Sequence, residues 1–179
     1  MSFINNGIPV TILELDKEAL QKGLGVIQKN YDSSAKKGRF TEAQVNERMN
    51  LITGTTSYDD LADTDLVIEA VFENMEVKKE VFSTLNRVVG RDTILASNTS
   101  YLNIDEIATV VENPGRVLGM HFFSPANIMR LLEIVRAEKT SPEVLATVLK
   151  LSKTIGKVGA VAGCCYGFIG NRMLSGYGR

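Results

Sequence analysis

Two residues that could transfer a proton lie close together in this sequence. His121, the single histidine among 179 residues, is followed by Phe-Phe-Ser-Pro, and Glu133 interrupts the apolar run Leu-Leu-Glu-Ile-Val. Histidine accepts and returns a proton near neutral pH. A carboxylate in an apolar strand is costly to bury alone, and a histidine suits it because the acid fixes the tautomer and stabilises the imidazolium. Spacing does not prove contact, so His121 also fits a packed structural histidine.

The segments around these two residues predict alternating strands and helices. Strands are predicted over residues 10–14, 51–55, 65–71, 93–97, 117–122, 131–135 and 158–162, and helices over 16–37, 41–50, 74–89, 104–111, 141–156 and from 168 onward. This alternation favours one α/β domain with a mostly parallel sheet covered on both faces. His121 then lies at the carboxyl end of a central strand, where ligand sites of open α/β sheets gather.

The order of elements resembles a Rossmann-like, doubly wound dinucleotide-binding fold without its first strand and glycine turn. Residues 1–6 predict the end of a helix, with Gly7 after it, and Gly23-Leu24-Gly25 lies inside a helical pattern. Glu14 ends a strand where an acid would accept hydrogen bonds from the adenosine ribose, which favours NAD over NADP. By itself, Glu14 fits a solvated acid equally well. We expect a chain truncated at its start.

Five ordered segments carry a resemblance to a known family. They are Glu-Ala-Val-Phe-Glu-Asn-Met-Glu-Val-Lys at 69–78, Ala-Ser-Asn-Thr-Ser at 96–100, His-Phe-Phe-Ser-Pro-Ala at 121–126, Met-Arg-Leu-Leu-Glu at 129–133 and Gly-Phe-Ile-Gly-Asn-Arg at 167–172. Over essentially its whole length, the chain resembles the NAD-binding domain of 3-hydroxyacyl-CoA dehydrogenases. Lys-Lys-Gly-Arg at 36–39 and Ser-Pro-Ala at 124–126 are most similar to the multifunctional enzymes that also carry an enoyl-CoA hydratase.

The resemblance implies a role for each matching residue. His121 is the general base and Glu133 its orienting partner, while Ser100 and Asn171 are catalytic residues that also contact the substrate. The implied cofactor-binding residues are Glu14, Ala70, Val71, Phe72, Glu73, Lys78, Asn98, Ser100 and Ser124. Many relatives have Asn where this chain has Ser124, which puts that contact in doubt. Without the resemblance, Lys78 fits a solvated helix lysine, and Ser100 and Asn171 fit helix caps.

The implied activity is NAD-dependent oxidation of (3S)-3-hydroxyacyl-CoA in fatty-acid β-oxidation. The family continues into a helical domain, so we expect truncation at both ends, an inactive 179-residue chain when it is alone, and a homo-oligomer or multienzyme complex at full length. Two alternatives stay open: a related dehydrogenase of a free hydroxy acid, and a nucleotide-fold protein with a structural or binding role and no turnover.

Composition excludes several other classes. The net charge of −1 argues against nucleic-acid binding, and the apolar runs are too short to span a membrane. Cys164 and Cys165 are adjacent, a spacing that suits neither a disulfide framework nor a metal site, so reduced thiols and no metal are predicted. An intracellular location, cytoplasmic or peroxisomal, fits these features.

Overall fold

The computed structural model describes residues 1–177, and the chain divides into two compact units, Met1–Leu61 and a second that begins at Ala62. Within residues 1–177, seven strands form two sheets, one of two strands and one of five. The sequence predicted one domain; each unit has its own sheet and its own hydrophobic core.

The first unit is a parallel strand pair with two helices. Its elements are β1 (Val10–Leu13), α1 (Lys17–Lys36), α2 (Glu42–Met49) and β2 (Ile52–Thr55), with 3-10 turns at Ile4–Asn6 and Tyr58–Leu61. The Asp16 side chain caps α1, and Thr41 with Gln44 forms a capping box at the start of α2. The core of this unit is built around Ile4, Tyr31 and Val45. Glu14 follows β1 directly, and its amide still donates to Thr55 O.

The second unit contains the larger sheet. Its elements are β3 (Leu66–Glu69), α3 (Met75–Val88), β4 (Ile94–Ser97), α4 (Ile104–Ala108), β5 (Val117–Phe122), β6 (Leu131–Arg136), α5 (Pro142–Thr154), β7 (Val158–Gly163) and α6 (Gly170–Tyr177). The strand order is β3-β4-β5-β6-β7. Three neighbouring pairs are parallel, and β5 pairs with β6 antiparallel. The mostly parallel α/β sheet that the sequence predicted is confirmed.

The alternation of side chains in β5 and β6 separates a core face from a functional face. Leu118 and Met120 pack with Leu132, Ile134 and Val148 of α5 in a buried cluster. Because successive strand residues point to opposite faces, His121 and Glu133 lie on the other face of the sheet. The sequence pattern thus places both polar residues away from the α5 core.

Several predicted elements differ from the observed ones by two residues or more at one end, among them the strand β3, which ends at Glu69 rather than at residue 71. α4 ends at Ala108 rather than at residue 111, and α6 begins at Gly170 rather than at 168. The difference at α6 has a local cause, since Gly167 and Phe168 both adopt positive φ angles, 72° and 47°, which cannot continue a right-handed helix. Within residues 1–177, no helix is long and apolar enough to cross a membrane.

Candidate active site

His121 and Glu133 are cross-strand partners. They stand opposite each other in the antiparallel register of β5 and β6, which places both side chains on the same face. His121 Nδ1 lies 2.6 Å from Glu133 Oε2, and Glu133 has no exposed surface. The contact that the sequence predicted is therefore confirmed.

The second oxygen of the Glu133 carboxylate is held by backbone amides. Glu133 Oε1 accepts from Ile169 N at 2.9 Å and from Gly170 N at 2.7 Å. An ionised carboxylate can only accept hydrogen bonds, so in the His121–Glu133 contact the hydrogen is on Nδ1 of the imidazole. In the neutral ring, the lone pair is then on Nε2. The left-handed turn at Gly167 and Phe168 comes just before these two amides.

The imidazole of His121 is enclosed on its sides. The Phe123 ring centroid lies 4.6 Å from that of His121, and the Phe168 centroid lies 5.9 Å away. His121 Nε2 lies 3.2 Å from the Ser100 hydroxyl. With the proton on Nδ1, the Ser100 hydroxyl donates to Nε2, so the basic nitrogen of the ring faces a hydroxyl group.

Glu73 holds the segment that carries Ser100. Its Oε1 accepts from the Thr99 hydroxyl at 2.5 Å, from Ser100 N at 2.8 Å and from Tyr101 N at 3.2 Å. Burial raises the pKa of Glu73, but these three hydrogen bonds and the positive charge of Lys78 lower the pKa by more, so the carboxyl titrates below its ordinary range. Glu73 is therefore ionised at neutral pH and fixes the backbone at Ser100.

A buried ion pair lies at the carboxyl end of β3. Lys78 Nζ is 2.7 Å from Glu69 Oε1, and both side chains are almost fully buried. Glu69 also accepts from Val71 N at 2.6 Å and from the Ser97 hydroxyl at 2.7 Å. Lys78 Nζ is 3.5 Å from Glu73 Oε2. The ion pair therefore joins the ends of β3 and β4 to the start of α3 and fixes the chain that follows β3.

The other predicted site residues occupy different positions. Asn98 Oδ1 accepts from Phe122 N at 2.8 Å and so ties the end of β4 to the end of β5. Ser124 is exposed in the loop after β5, next to a cis bond to Pro125. Asn171 is the second residue of α6, directly after the Gly170 amide that binds Glu133, and it is half-buried. Glu14 lies in the first unit, exposed, with its carboxylate accepting from Asp16 N.

Several residues of the site were not predicted from the sequence. Glu69 is a carboxylate at the end of an apolar strand, which is the same pattern that predicted a partner for Glu133. Glu69 was assigned only to the 69–78 family segment, and no partner was predicted for it. A backbone amide has no side-chain signature, so the sequence could not predict the donors at Ile169 and Gly170. A phenylalanine by itself predicts only a place in the hydrophobic core, so the contacts of Phe123 and Phe168 with His121 could not be predicted either. Among residues 1–177, no cluster of His, Cys, Asp and Glu could hold a metal ion.

Comparison with known proteins identifies the family. Residues 1–164 match the model of the 3-hydroxyacyl-CoA dehydrogenase NAD binding domain. The chain belongs to this family. NAD is accordingly its cofactor. The solved (S)-3-hydroxybutyryl-CoA dehydrogenase of Ralstonia eutropha is 38% identical, with a TM-score of 0.94 over 97% of this chain and 61% of that one.

Two curated relatives extend the comparison. The peroxisomal bifunctional enzyme of Cavia porcellus is 44% identical over 177 residues, which are 99% of this chain and 24% of that protein. The fatty acid oxidation complex subunit alpha of Pseudomonas syringae pv. syringae is 42% identical over 171 residues, 96% of this chain and 24% of that protein. The chain thus spans about a quarter of the length of these relatives. Both names agree with the resemblance to multifunctional enzymes.

The chemistry of the second unit suits part of a dinucleotide. Phe72 is 86% exposed and Val71 is 39% exposed at the carboxyl end of β3, so they offer apolar surface to a ring. The Glu73 side chain is 39% exposed, and its carboxylate can accept from ribose hydroxyls. Lys78, in contrast, is fully buried against Glu69, and its ammonium contacts Glu73 and Val71 O rather than the surface.

Proposed function

We propose that this protein oxidises (3S)-3-hydroxyacyl-CoA to 3-ketoacyl-CoA with NAD in fatty-acid β-oxidation, as part of a longer hydratase–dehydrogenase. The observation that carries the proposal is the chain of contacts from Glu133 through His121 to Ser100, with distances of 2.6 and 3.2 Å. It leaves one basic nitrogen, His121 Nε2, beside a hydroxyl. A secondary alcohol placed there meets a general base with a built-in counter-charge.

Each residue then has a defined task in the oxidation. His121 Nε2 takes the proton of the C3 hydroxyl, and Glu133 offsets the positive charge that the ring gains. The Ser100 hydroxyl fixes the substrate oxygen against Nε2, and Asn171 binds the carbonyl region of the substrate. NAD, when bound, supplies the hydride acceptor for the hydrogen on C3. In this proposal the residues assigned to cofactor binding are Glu14, Ala70, Val71, Phe72, Glu73, Asn98 and Ser124, and the buried Lys78 acts through Glu73.

The proposal extends to partners and location. A relative named as the alpha subunit of a complex supports an assembly with other subunits or with copies of the same chain. Relatives named as peroxisomal enzymes and relatives from bacteria support a peroxisomal or a cytoplasmic location.

A substrate panel tests the proposal in the full-length protein. NADH formation is measured with 3-hydroxybutyryl-CoA, a longer 3-hydroxyacyl-CoA and free 3-hydroxybutyrate, for wild type, Ser100→Ala and Ser33→Ala. Ser33 is an exposed serine of α1 and serves as the matched control. We expect turnover of both thioesters by wild type and Ser33→Ala, and a loss of about tenfold or more in kcat/KM for Ser100→Ala because one positioning hydrogen bond is removed.

Two results would contradict the proposal. Preference for the free acid would identify a hydroxy-acid dehydrogenase. NAD binding without oxidation of any substrate would identify a protein with a binding role only.

A further inference from the structure

Lys157 is a buried cation outside the residues described so far. It lies between α5 and β7 with 8% of its surface exposed, and burial lowers its pKa from the ordinary lysine value. No carboxylate within residues 1–177 forms an ion pair with it. A buried ammonium without a counter-ion is costly unless its hydrogens are bonded. The groups that accept hydrogen bonds from the Lys157 ammonium therefore indicate the role of this residue.

Those partners are carbonyl oxygens of one loop. Lys157 Nζ donates to Met129 O at 2.6 Å and to Ala126 O, and it lies 5.8 Å from the centre of the Phe122 ring. Both carbonyls belong to the loop over residues 123–130 that joins β5 to β6. A cation is stabilised by unpaired carbonyls and by the face of an aromatic ring, so the site is built for an ammonium.

The loop forms a single helical turn at this point. The amides of Ile128 and Met129 both donate to Pro125 O, at 2.9 and 3.0 Å. One turn of helix is marginal by itself, because its last carbonyls have no partners within the turn. The ammonium of Lys157 supplies a partner for two carbonyls of this turn, at Ala126 and Met129, and so holds the turn closed.

Strand order puts this contact at the edge of the sheet that carries the site. β6 runs antiparallel to β5, and β7 runs parallel to β6, so the starts of β6 and β7 lie beside the end of β5. Val158 N donates to Arg130 O at 2.8 Å, which joins the Lys157 segment to the end of the loop. The lysine is therefore anchored in the sheet while its ammonium holds the loop.

The first residue of the loop reaches the catalytic histidine. The Phe123 ring packs against the His121 ring with centroids 4.6 Å apart. A Cβ atom added at Gly170 would lie 2.8 Å from the tip of the Phe123 ring, so the same ring also closes over the residue whose amide binds Glu133. Movement of the loop would thus free one wall of the His121–Glu133 pair.

From these contacts, we propose that Lys157 is a positioning residue for the reaction, acting through the 123–130 loop to hold Phe123 against His121. The kinetic part of this inference rests on the proposed dehydrogenase function. The structural part, that Lys157 fixes the loop, does not. The two parts can be measured separately.

The test uses the full-length protein with Lys157→Met, Lys157→Arg and the control Lys153→Met, an exposed lysine in the last turn of α5. Methionine keeps the apolar stem and removes the charge, whereas arginine keeps both. Hydrogen exchange is followed in peptides covering Ile128 and Met129, with peptides from β5 and α1 as references. NADH formation gives kcat/KM for 3-hydroxybutyryl-CoA.

We expect Lys157→Met to speed exchange at Ile128 and Met129 only and to lower kcat/KM by about 10–100-fold, since small misplacements of catalytic groups have effects of that size. In Lys157→Arg and in Lys153→Met, we expect both the exchange rates at Ile128 and Met129 and kcat/KM to stay near their wild-type values. The inference is overturned if hydrogen exchange at Ile128 and Met129 in Lys157→Met stays at the wild-type rate. It is also overturned if exchange in the β5 and α1 peptides is accelerated as much as at Ile128 and Met129. If wild type shows no turnover, the proposed function fails while the exchange result still decides the role of Lys157. If Lys157→Met does not fold, Lys157→Gln replaces it with the same criteria.

Discussion

Replacing Glu133 with glutamine should reverse the tautomer of His121. The backbone amides of Ile169 and Gly170 both donate to Glu133 Oε1, so a glutamine at this position keeps its carbonyl oxygen on them. Its NH₂ group then faces His121 Nδ1 at the position where the carboxylate oxygen now lies 2.6 Å away. An amide donor there requires a lone pair on Nδ1, which moves the ring hydrogen to Nε2 and removes the base.

The size of the effect follows from these contacts. Loss of a general base typically lowers turnover by about 10²–10⁴-fold, and the comparable acid-to-amide change in a Ser-His-Asp triad lies near the upper end of that range. Glu133 has no exposed surface and its bonds go to protein groups, so KM for the substrate should stay near the wild-type value. Three hydrogen bonds to a charged carboxylate become hydrogen bonds to a neutral amide, so the free energy of unfolding should fall by about 1–3 kcal/mol.

The assay compares Glu133→Gln with Glu47→Gln, an exposed glutamate of α2, in the full-length protein. NADH formation gives kcat and KM, and thermal unfolding shows whether both variants are folded. We expect low kcat, nearly unchanged KM and a folded protein for Glu133→Gln, with wild-type behaviour for Glu47→Gln. Near-normal kcat in a folded Glu133→Gln variant would refute the tautomer argument.

Three further predictions concern packing, pH and cofactor choice. Gly119→Ala should destabilise the protein by about 1–3 kcal/mol in chemical denaturation, because the added Cβ would lie 2.7 Å from Val135 Cβ. Gly23→Ala, in open space inside α1, should stabilise it by about 0.5–1 kcal/mol; equal effects of the two changes would contradict this. The folded pKa of Glu73 lies below its unfolded value of about 4.3, so its carboxylate adds stability above that pH, and the gain is lost as pH falls through the folded pKa. The melting temperature of Glu73→Gln should therefore fall less steeply than that of wild type as pH drops below about 5, and parallel curves would show that Glu73 does not contribute. Glu14→Ala should raise kcat/KM for NADP relative to NAD by about fivefold, since like charges about 4 Å apart repel by about 1 kcal/mol in water, and an unchanged ratio in steady-state kinetics would place Glu14 away from the 2′-phosphate.

Local signals in the sequence located most of the elements. All seven predicted strands are present among the described residues. The four predicted helix starts at Asp16, Thr41, Asn74 and Ser141 are all N-caps whose side chains accept a backbone hydrogen bond. The antiparallel pairing of β5 and β6 was not predicted, although a signal existed. The connection over residues 123–130 is too short for the crossover that a parallel pair requires.

The site was only partly predictable. His121 and Glu133 could be paired because a lone acid in an apolar strand needs a partner. The contact of Lys157 with the 123–130 loop depends on β6 and β7 becoming neighbours, and no spacing in the sequence encodes that pairing. The Lys78–Glu69 ion pair is local, since it joins the end of β3 to the first turn of the helix that follows it. The amides of Ile169 and Gly170 reach Glu133 through a left-handed turn at Phe168, a residue type that rarely adopts positive φ.

The role of His121 as the base of an NAD-dependent 3-hydroxyacyl-CoA dehydrogenase can be measured as turnover of 3-hydroxybutyryl-CoA by the full-length His121→Ala variant. We expect kcat to fall by about 10²–10⁴-fold while NAD affinity, measured by calorimetry on the same preparation, stays at the wild-type value. A folded His121→Ala variant that oxidises the substrate at a near-normal rate would contradict this role.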